Sequence, residues 1–316
     1  MDRQGRRRNH SGLAALGLLL GLSPRSDAQA FTPEQGLWSL TTLFQVVDNT
    51  GHRMSDGFML RDGQSLSTGA LADVEYGVTN RFAVTLGLPF IMAKYRGVGP
   101  TPANLPVDSC RCWHSGLQDF TGTARYRFGE ESFAFTPTIG VTVPSHAYNY
   151  QGEAVLGRRL RELRLGGTVA VRPAALAGTV LSATYAYAVV QKDVVDIPNN
   201  RSNATIDIGR SFGDHWSMRV SAGLQRTHGG LRFGSIRPGA SLPFPGEVGF
   251  SGPKFQEHDR LLRDNYASVG GGLTYSMDKT DLFAAISVYV SGTDAHDGQA
   301  FTIGATWYFG GPPSPR

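Results

Sequence analysis

Residues 132–145, SFAFTPTIGVTVPS, alternate nearly without fault. Phe133, Phe135, Pro137, Ile139, Val141 and Val143 hold one phase; Ala134, Thr136, Thr138, Gly140 and Thr142 hold the other. A period of two is the signature of a β-strand. A half-buried strand in water would turn Lys, Glu or Gln outward. Here the second phase is small and uncharged, while the first is bulky enough to be a core. The bulky phase recurs as Phe82, Val84, Leu86, Leu88 and Phe90, and again as Trp216, Met218, Val220, Ala222 and Leu224.

Runs of this kind, punctuated by turn residues, predict twelve strands: 37–47, 66–77, 81–91, 117–128, 132–145, 160–172, 178–191, 202–212, 216–228, 263–276, 281–291 and 299–309. The connections after even-numbered strands are tight: GVTN, GEES, PAAL, GDH and MDKT. Those after odd-numbered strands are longer, from GTDAHDG up to residues 92–116 and 229–262. Short and long connections alternating along an even number of antiparallel strands predict an all-β transmembrane barrel, with short periplasmic turns and longer external loops. The bulky phase then faces lipid, and the Ala/Thr/Gly phase lines the lumen. Tyr76, Phe82, Tyr126, Phe128, Phe212, Trp216, Tyr275, Trp307 and Phe309 fall near the short-turn ends, as an aromatic girdle requires. Phe309 ends the last strand on the apolar phase, the ending that barrel-assembly machinery prefers.

Charged residues on the lumen phase are the candidates for function: Asp73, Glu75, Asp119, Arg125, Arg127, Arg164, Asp207 and Arg219. Counted up from the short turns, Asp73, Glu75, Arg125, Arg127, Asp207 and Arg219 are expected at similar heights, as a lumen constriction. Opposed carboxylates and guanidiniums select ions and solutes across a narrow pore, or they close it as a salt-bridged plug. Asp119 and Arg164 are expected as further lumen polar residues. Within the 202–212 to 216–228 hairpin, the short turn puts Asp207 opposite Ser221 and leaves Arg219 as its diagonal neighbour.

The composition agrees with many short strands: 40 Gly, 10% aromatic and only 18% charged residues in 316. A mean hydropathy of −0.19 excludes a polytopic helical membrane protein but not a barrel with one polar face. Arg3, Arg6, Arg7 and Arg8 precede the apolar run 12–22, and DAQA follows. This order predicts a signal peptide over residues 1–30, a barrel over 31–309 and a short periplasmic tail over 310–316. Five of the 30 basic and two of the 26 acidic residues lie in 1–30, leaving 25 against 24. The pI of 9.1 therefore belongs mostly to the leader, and no nucleic-acid partner is expected. Cys110, Cys112 and His114 share one loop. Their spacing matches no structural zinc site, so a loop disulfide or free thiols are expected and no metal.

ADVEYGVTNRFAVTLGLPF (residues 72–90), GLQDFTGTARYRF (116–128), FTPTIGVTVPS and GEAVLGRRL (152–160) resemble the meta-pathway phenol-degradation family of outer-membrane proteins. The resemblance spans most of the chain after residue 30, and EYGVTNRFA is its most specific part. It implies an envelope barrel of transporter type, in contact with outer-membrane lipid and lipopolysaccharide, and a small-molecule solute, aromatic or hydrophobic. It carries no catalytic motif and implies no cofactor.

The expected function is passive uptake of small solutes through a bacterial outer membrane. Two alternatives belong to other classes: a lipid hydrolase on the external rim, with His228, Ser235, His258 and Asp259 as its best constellation, and a closed barrel serving structure or partner docking. The glycine run 269–273 precedes no helix and no Lys-Ser/Thr, so it is no phosphate loop. The predicted topology has a direct check. A short epitope within 92–116 or 229–262 is labelled on intact cells, and one within GEES is not; surface labelling of GEES inverts the barrel.

Overall fold

The computed structural model describes residues 30–61, 63–97, 112–151, 154–192, 196–232, 234 and 257–310. Twelve antiparallel strands close into one barrel: β1 (Trp38–Arg53), β2 (Gly63–Thr79), β3 (Phe82–Gly97), β4 (His114–Leu117, Phe120–Tyr126 and Phe128–Glu130), β5 (Phe133–Val143), β6 (Glu162–Val171), β7 (Thr179–Val190), β8 (Asn199–Phe212), β9 (Trp216–Gly229), β10 (Asn265–Ser276), β11 (Thr280–Thr293) and β12 (Ala295–Phe309). Each strand pairs with its chain neighbours, and β12 pairs with β1 from Trp38↔Phe309 to Arg53↔Ala295. Closure leaves no edge strand, which a sheet in hydrocarbon requires.

Burial identifies the two faces. Leu86 is 67% exposed, Ile206 63% and Leu224 62%, whereas Thr136, Thr168 and Thr302 are at most 2% exposed. Apolar outside and polar inside is the inverse of a soluble barrel and fits a lipid surround. Every bulky position expected to face lipid on β3, β5 and β9 lies on the outer face. The girdle aromatics meet at the short-turn end: Trp38 on Tyr76 of the next strand with ring centroids 4.2 Å apart, Trp216 on Tyr275 at 5.0 Å, and, within β4, Tyr126 on Phe128 at 4.9 Å.

Two prolines account for the breaks in β4. Pro89 of β3 has no N–H to donate, and at its height the β3–β4 register slips by one residue between Gly87↔Thr121 and Phe90↔Leu117. The extra residue is Asp119. Pro137 of β5 stands at the register position of Tyr126, where the β4–β5 ladder lapses between Arg125↔Thr138 and Phe128↔Phe135.

Several strands run further than their alternation predicts. β1 continues to Arg53 instead of 47, and β12 begins at Ala295 instead of 299. The GTDAHDG stretch is consequently no loop. β11 and β12 turn over one residue, Asp294, at φ 51°. Above the lipid both faces of a strand are polar, so the two-residue hydrophobic period stops while the hydrogen-bonded ladder goes on. Arg53 Nε donating to Asp297 Oδ2 at 2.6 Å and the His52–His296 ring contact at 4.9 Å belong to this extension.

Both mouths are covered. At the short-turn end, residues 30–37 cross the opening as a strap. Its start by β1 and β2 is held by Gln35 N donating to Asn80 Oδ1 (2.8 Å) and Gly36 N to the Gly77 carbonyl (2.8 Å). Its far end packs Ala30 and Phe31 against Ala170 and Val180; Thr136 Oγ1 donates to the Ala30 carbonyl, and the Arg172 guanidinium lies 4.1 Å from the Phe31 ring. At the other end, Tyr148, Ala154 and Leu156 pack on the inward Ile91, Ala93 and Tyr95 of β3. Leu231, just after β9, and Leu261, in a short helix, α1 (His258–Leu261), pack with Leu160 on Ala188 and Val190 of β7.

The face assignment fixes the cost of misplaced charge. Leu86→Arg on the outer face costs about 2–4 kcal/mol and lowers the yield of inserted, heat-modifiable barrel. Thr85→Arg on the inner face, beside Glu75, inserts at wild-type yield. Equal tolerance at both positions would contradict the assignment.

Candidate functional site

The inward phase of the strands assembles three layers of polar chemistry. Lowest, toward the short turns, are two ion pairs. Arg125 of β4 pairs with Glu75 of β2, and Thr85 Oγ1 also donates to Glu75 at 3.4 Å. On β8 and β9, Asp207 lies opposite Ser221, and the diagonal Arg219 donates from Nε to Asp207 Oδ1 at 2.8 Å. Three strands separate the two pairs on one side of the ring (β5 to β7) and four on the other (β10 to β12 and β1), so they occupy opposite walls. Asp73 faces inward above Glu75, over Gly87 and beside Thr121. A Cβ on Gly87 would come within 2.5 Å of its carboxylate, so glycine makes the room. Arg127 sits lower, donating to the Asn80 carbonyl in the short turn at 3.1 Å.

The middle layer is a cavity of about 290 Å³. Its wall is mostly Thr, Ser and Gly, with Arg125, Arg164 and Arg219 and no carboxylate. Arg164 of β6 lies over Gly140 of β5, its direct cross-strand partner. A Cβ at position 140 would stand 3.4 Å from Arg164 Nε and 3.3 Å from Thr123 Oγ1.

The upper layer joins the barrel wall to the loops. Arg201 of β8 pairs with Glu162 of β6 across β7. Arg158 reaches Asp264 at 3.5 Å and donates to Asn199 Oδ1 at 3.1 Å; Gln225 Nε2 donates to Asp264 Oδ2 at 3.0 Å. Burial pushes Arg158 down to about 10, with the neighbouring Arg201 adding to the effect. Burial likewise raises Asp264 above the usual carboxylate range, and Arg158 opposes the rise. Asp119, the bulge residue, accepts from Tyr148 Oη at 2.6 Å. Arg260 donates to Glu257 at 2.6 Å and stacks its guanidinium 3.6 Å from the Tyr150 ring centre.

All eight lumen-phase charges named from the sequence point inward, but they do not form one ring. Four make the two lower pairs, Asp73 stands above them, Arg127 is at the rim, Arg164 is in the cavity and Asp119 is above it. Sequence reasoning missed Glu162, Arg201, Arg158 and Asp264. Extending the inward phase of β8 upward from Asp207 reaches Arg201, and that of β6 from Arg164 reaches Glu162; this signal was available. The loop residues Arg158 and Asp264 follow no period.

For the rim hydrolase alternative, Ser235 and the side chains of His258 and Asp259 lie outside the described residues. His228 lies on the outer face, with Nε2 2.8 Å from Ser202 Oγ. No acid orients its imidazole among the described residues, so the contact lacks the third member of a nucleophilic triad. Cys112 is disulfide-bonded. Cys110, the chain's other cysteine, lies outside the described residues.

No family model and no curated protein match the chain. Among solved structures it is similar to the COG4313 outer membrane channel from Pseudomonas putida F1, with a TM-score of 0.66 and 12% identity over 89% of this chain and 98% of that one. The β domain of the Bordetella autotransporter BrkA aligns at a TM-score of 0.49, with 11% identity over 88% and 100%. KdgM porin aligns at 0.45, with 8% identity over 86% and 99%. The first likeness is one of fold: a closed antiparallel barrel of the bacterial outer-membrane type. The apolar exterior is that of a protein residing in this membrane.

The upper pair offers a stability test. Arg201→Gln leaves Glu162 buried against Arg158 and Arg164 only, and breaking one side of a buried pair costs about 3–5 kcal/mol. The unfolding temperature in the heat-modifiable gel shift falls. In Glu162→Gln/Arg201→Gln the loss is smaller than the sum of the single losses.

Proposed function

We propose that this barrel is a passive outer-membrane channel for small solutes, carrying them through the polar lumen between the loop-covered mouth and the strapped one. The observation that carries the reading is the wall. A barrel built only to be filled would bring bulky side chains to its axis, whereas this lumen keeps a cavity of about 290 Å³ behind Thr, Ser and Gly. In this reading the layer of Asp73, Glu75, Arg125, Asp207 and Arg219 is the constriction, with Arg127 at its lower rim. Two self-neutral pairs on opposite walls set a local field without a large net charge. Small aromatic solutes, the class implied by the family resemblance, belong to the same proposal. Contact with lipopolysaccharide and recognition of Phe309 by the assembly machinery complete it.

The coverage of both mouths supports a second reading, a closed barrel held shut by its strap and loops. Conductance separates the two. Purified barrel in a planar bilayer gives discrete steps if it is a channel, and arabinose and phenol enter proteoliposomes faster than they enter empty vesicles. Arg125→Ala/Arg219→Ala widens the constriction and shifts the reversal potential in a salt gradient toward cations, because Glu75 and Asp207 then dominate the field. Folded wild-type protein without steps or solute entry supports the closed barrel.

A further inference from the structure

We infer that the middle cavity is an anion site, built around Arg164, that takes a small organic carboxylate. The inference deepens the channel reading and rests on it for the route by which the solute arrives. Three guanidiniums enter the cavity wall and no carboxylate does. Arg125 and Arg219 are already matched by Glu75 and Asp207. Arg164 makes no ion pair among the described residues, and its buried Nε has no hydrogen-bond partner. The nearest acid along its own strand face, Glu162, pairs directly with Arg201 one layer up and reaches Arg164 only through its field, with no direct ion pair. Of the other lumen acids nearby, Asp119 is taken by the Tyr148 hydroxyl, and Asp73 lies outside the cavity wall.

A guanidinium that faces a cavity with its buried Nε unused gains from an incoming acceptor, because a buried donor left unpaired is costly. The surroundings fit an incoming acceptor. Gly140 keeps the space in front of the guanidinium open, and Thr123 Oγ1 is at hand beside it. Thr138, Asn203 and Ser268 add donors around the same wall. A guanidinium presents parallel N–H groups in a plane, the geometry that grips both oxygens of a carboxylate. The cavity is at the lower limit for a drug-sized molecule, which restricts the ligand to a short organic acid.

The test uses butyrate and its neutral isostere butyramide on the full barrel in detergent, by calorimetric titration, with solute flux measured separately in proteoliposomes. Expected is saturable binding of butyrate and none of butyramide. Arg164→Gln weakens butyrate on the order of ten- to a hundredfold, the loss of a charge-assisted pair, while Arg164→Lys, which keeps the charge without the fork, falls between. Arg226→Gln, on the outer face, binds as wild type, and all variants are checked for folding by heat modifiability. Equal binding of acid and amide, or butyrate affinity unchanged in Arg164→Gln, overturns the site. Sulfate or chloride displacing butyrate at equal concentration overturns the carboxylate assignment. Flux of neutral solutes without butyrate binding defeats the site and leaves the channel standing; binding without flux of any solute leaves the site and defeats the channel.

Discussion

Everything in this structure depends on the pairing of β1 with β12. In hydrocarbon an unpaired backbone N–H or C=O costs several kcal/mol, so a sheet exposed to lipid must have no edge. The fifteen-residue register from Trp38↔Phe309 to Arg53↔Ala295 removes the last one. Once the sheet is closed, each residue has only two destinations, and a shift of one position would exchange them all. The bulky phase of β3, β5 and β9 and the threonine phase of the inner wall follow from this single condition. So does the position of every charge that the lumen holds.

The lumen charges are arranged by how far they are from water. The lower pairs and the upper Glu162–Arg201 pair are each matched between strands of the wall, so their cost is offset without help from outside. Loop groups join only the upper layer, where Arg158 and Asp264 meet Asn199 and Gln225 of β8 and β9. The loop cover is therefore attached to the barrel by buried polar contacts as well as by Leu160, Leu231 and Leu261. The strap at the opposite mouth is held by hydrogen bonds from its backbone N–H groups to the Asn80 side chain and the Gly77 carbonyl, and at its far end by Thr136, Arg172 and the packing of Ala30 and Phe31.

The fold was legible because lipid imposes the same demand on every second residue of every strand. Leu86 and Val220 are readable one at a time without knowing their neighbours. The Asp207–Arg219 pair was legible because a three-residue turn fixes its register. Glu75–Arg125 is harder, since it spans β3 and needs two registers at once. The upper ends of β1 and β12 were not legible: past the lipid, Asn49, Thr50, His52 and Arg53 are polar on both faces, and the ladder leaves no hydrophobic trace. Arg158 and Asp264 come from loops whose path is set by packing, not by period. Of the six charges expected in one layer, Asp73 stands a little higher and Arg127 lower, where Pro137 interrupts the β4–β5 ladder as β4 meets the short turn.

Glycine decides what the inner wall can hold. Gly87 gives Asp73 its place, since an added Cβ would stand 2.5 Å from its carboxylate, whereas a Cβ at Gly140 would come into contact with Arg164 and press lightly on Thr123. The same substitution at Gly270 or Gly272 of β10 would meet Ser287 or Ala285 of β11 at 3.0 Å, a clash with the wall rather than with a charge. The first kind of glycine shapes the chemistry facing the lumen, and the second sets how closely the strands curve. A barrel of twelve strands is wider than one that side chains fill unaided. Small residues on the inner phase, at the heights of Gly140, Gly166, Gly223 and Gly270, keep that extra width as open volume. The cavity is thus a consequence of the same alternation that built the lipid face, read from its other side.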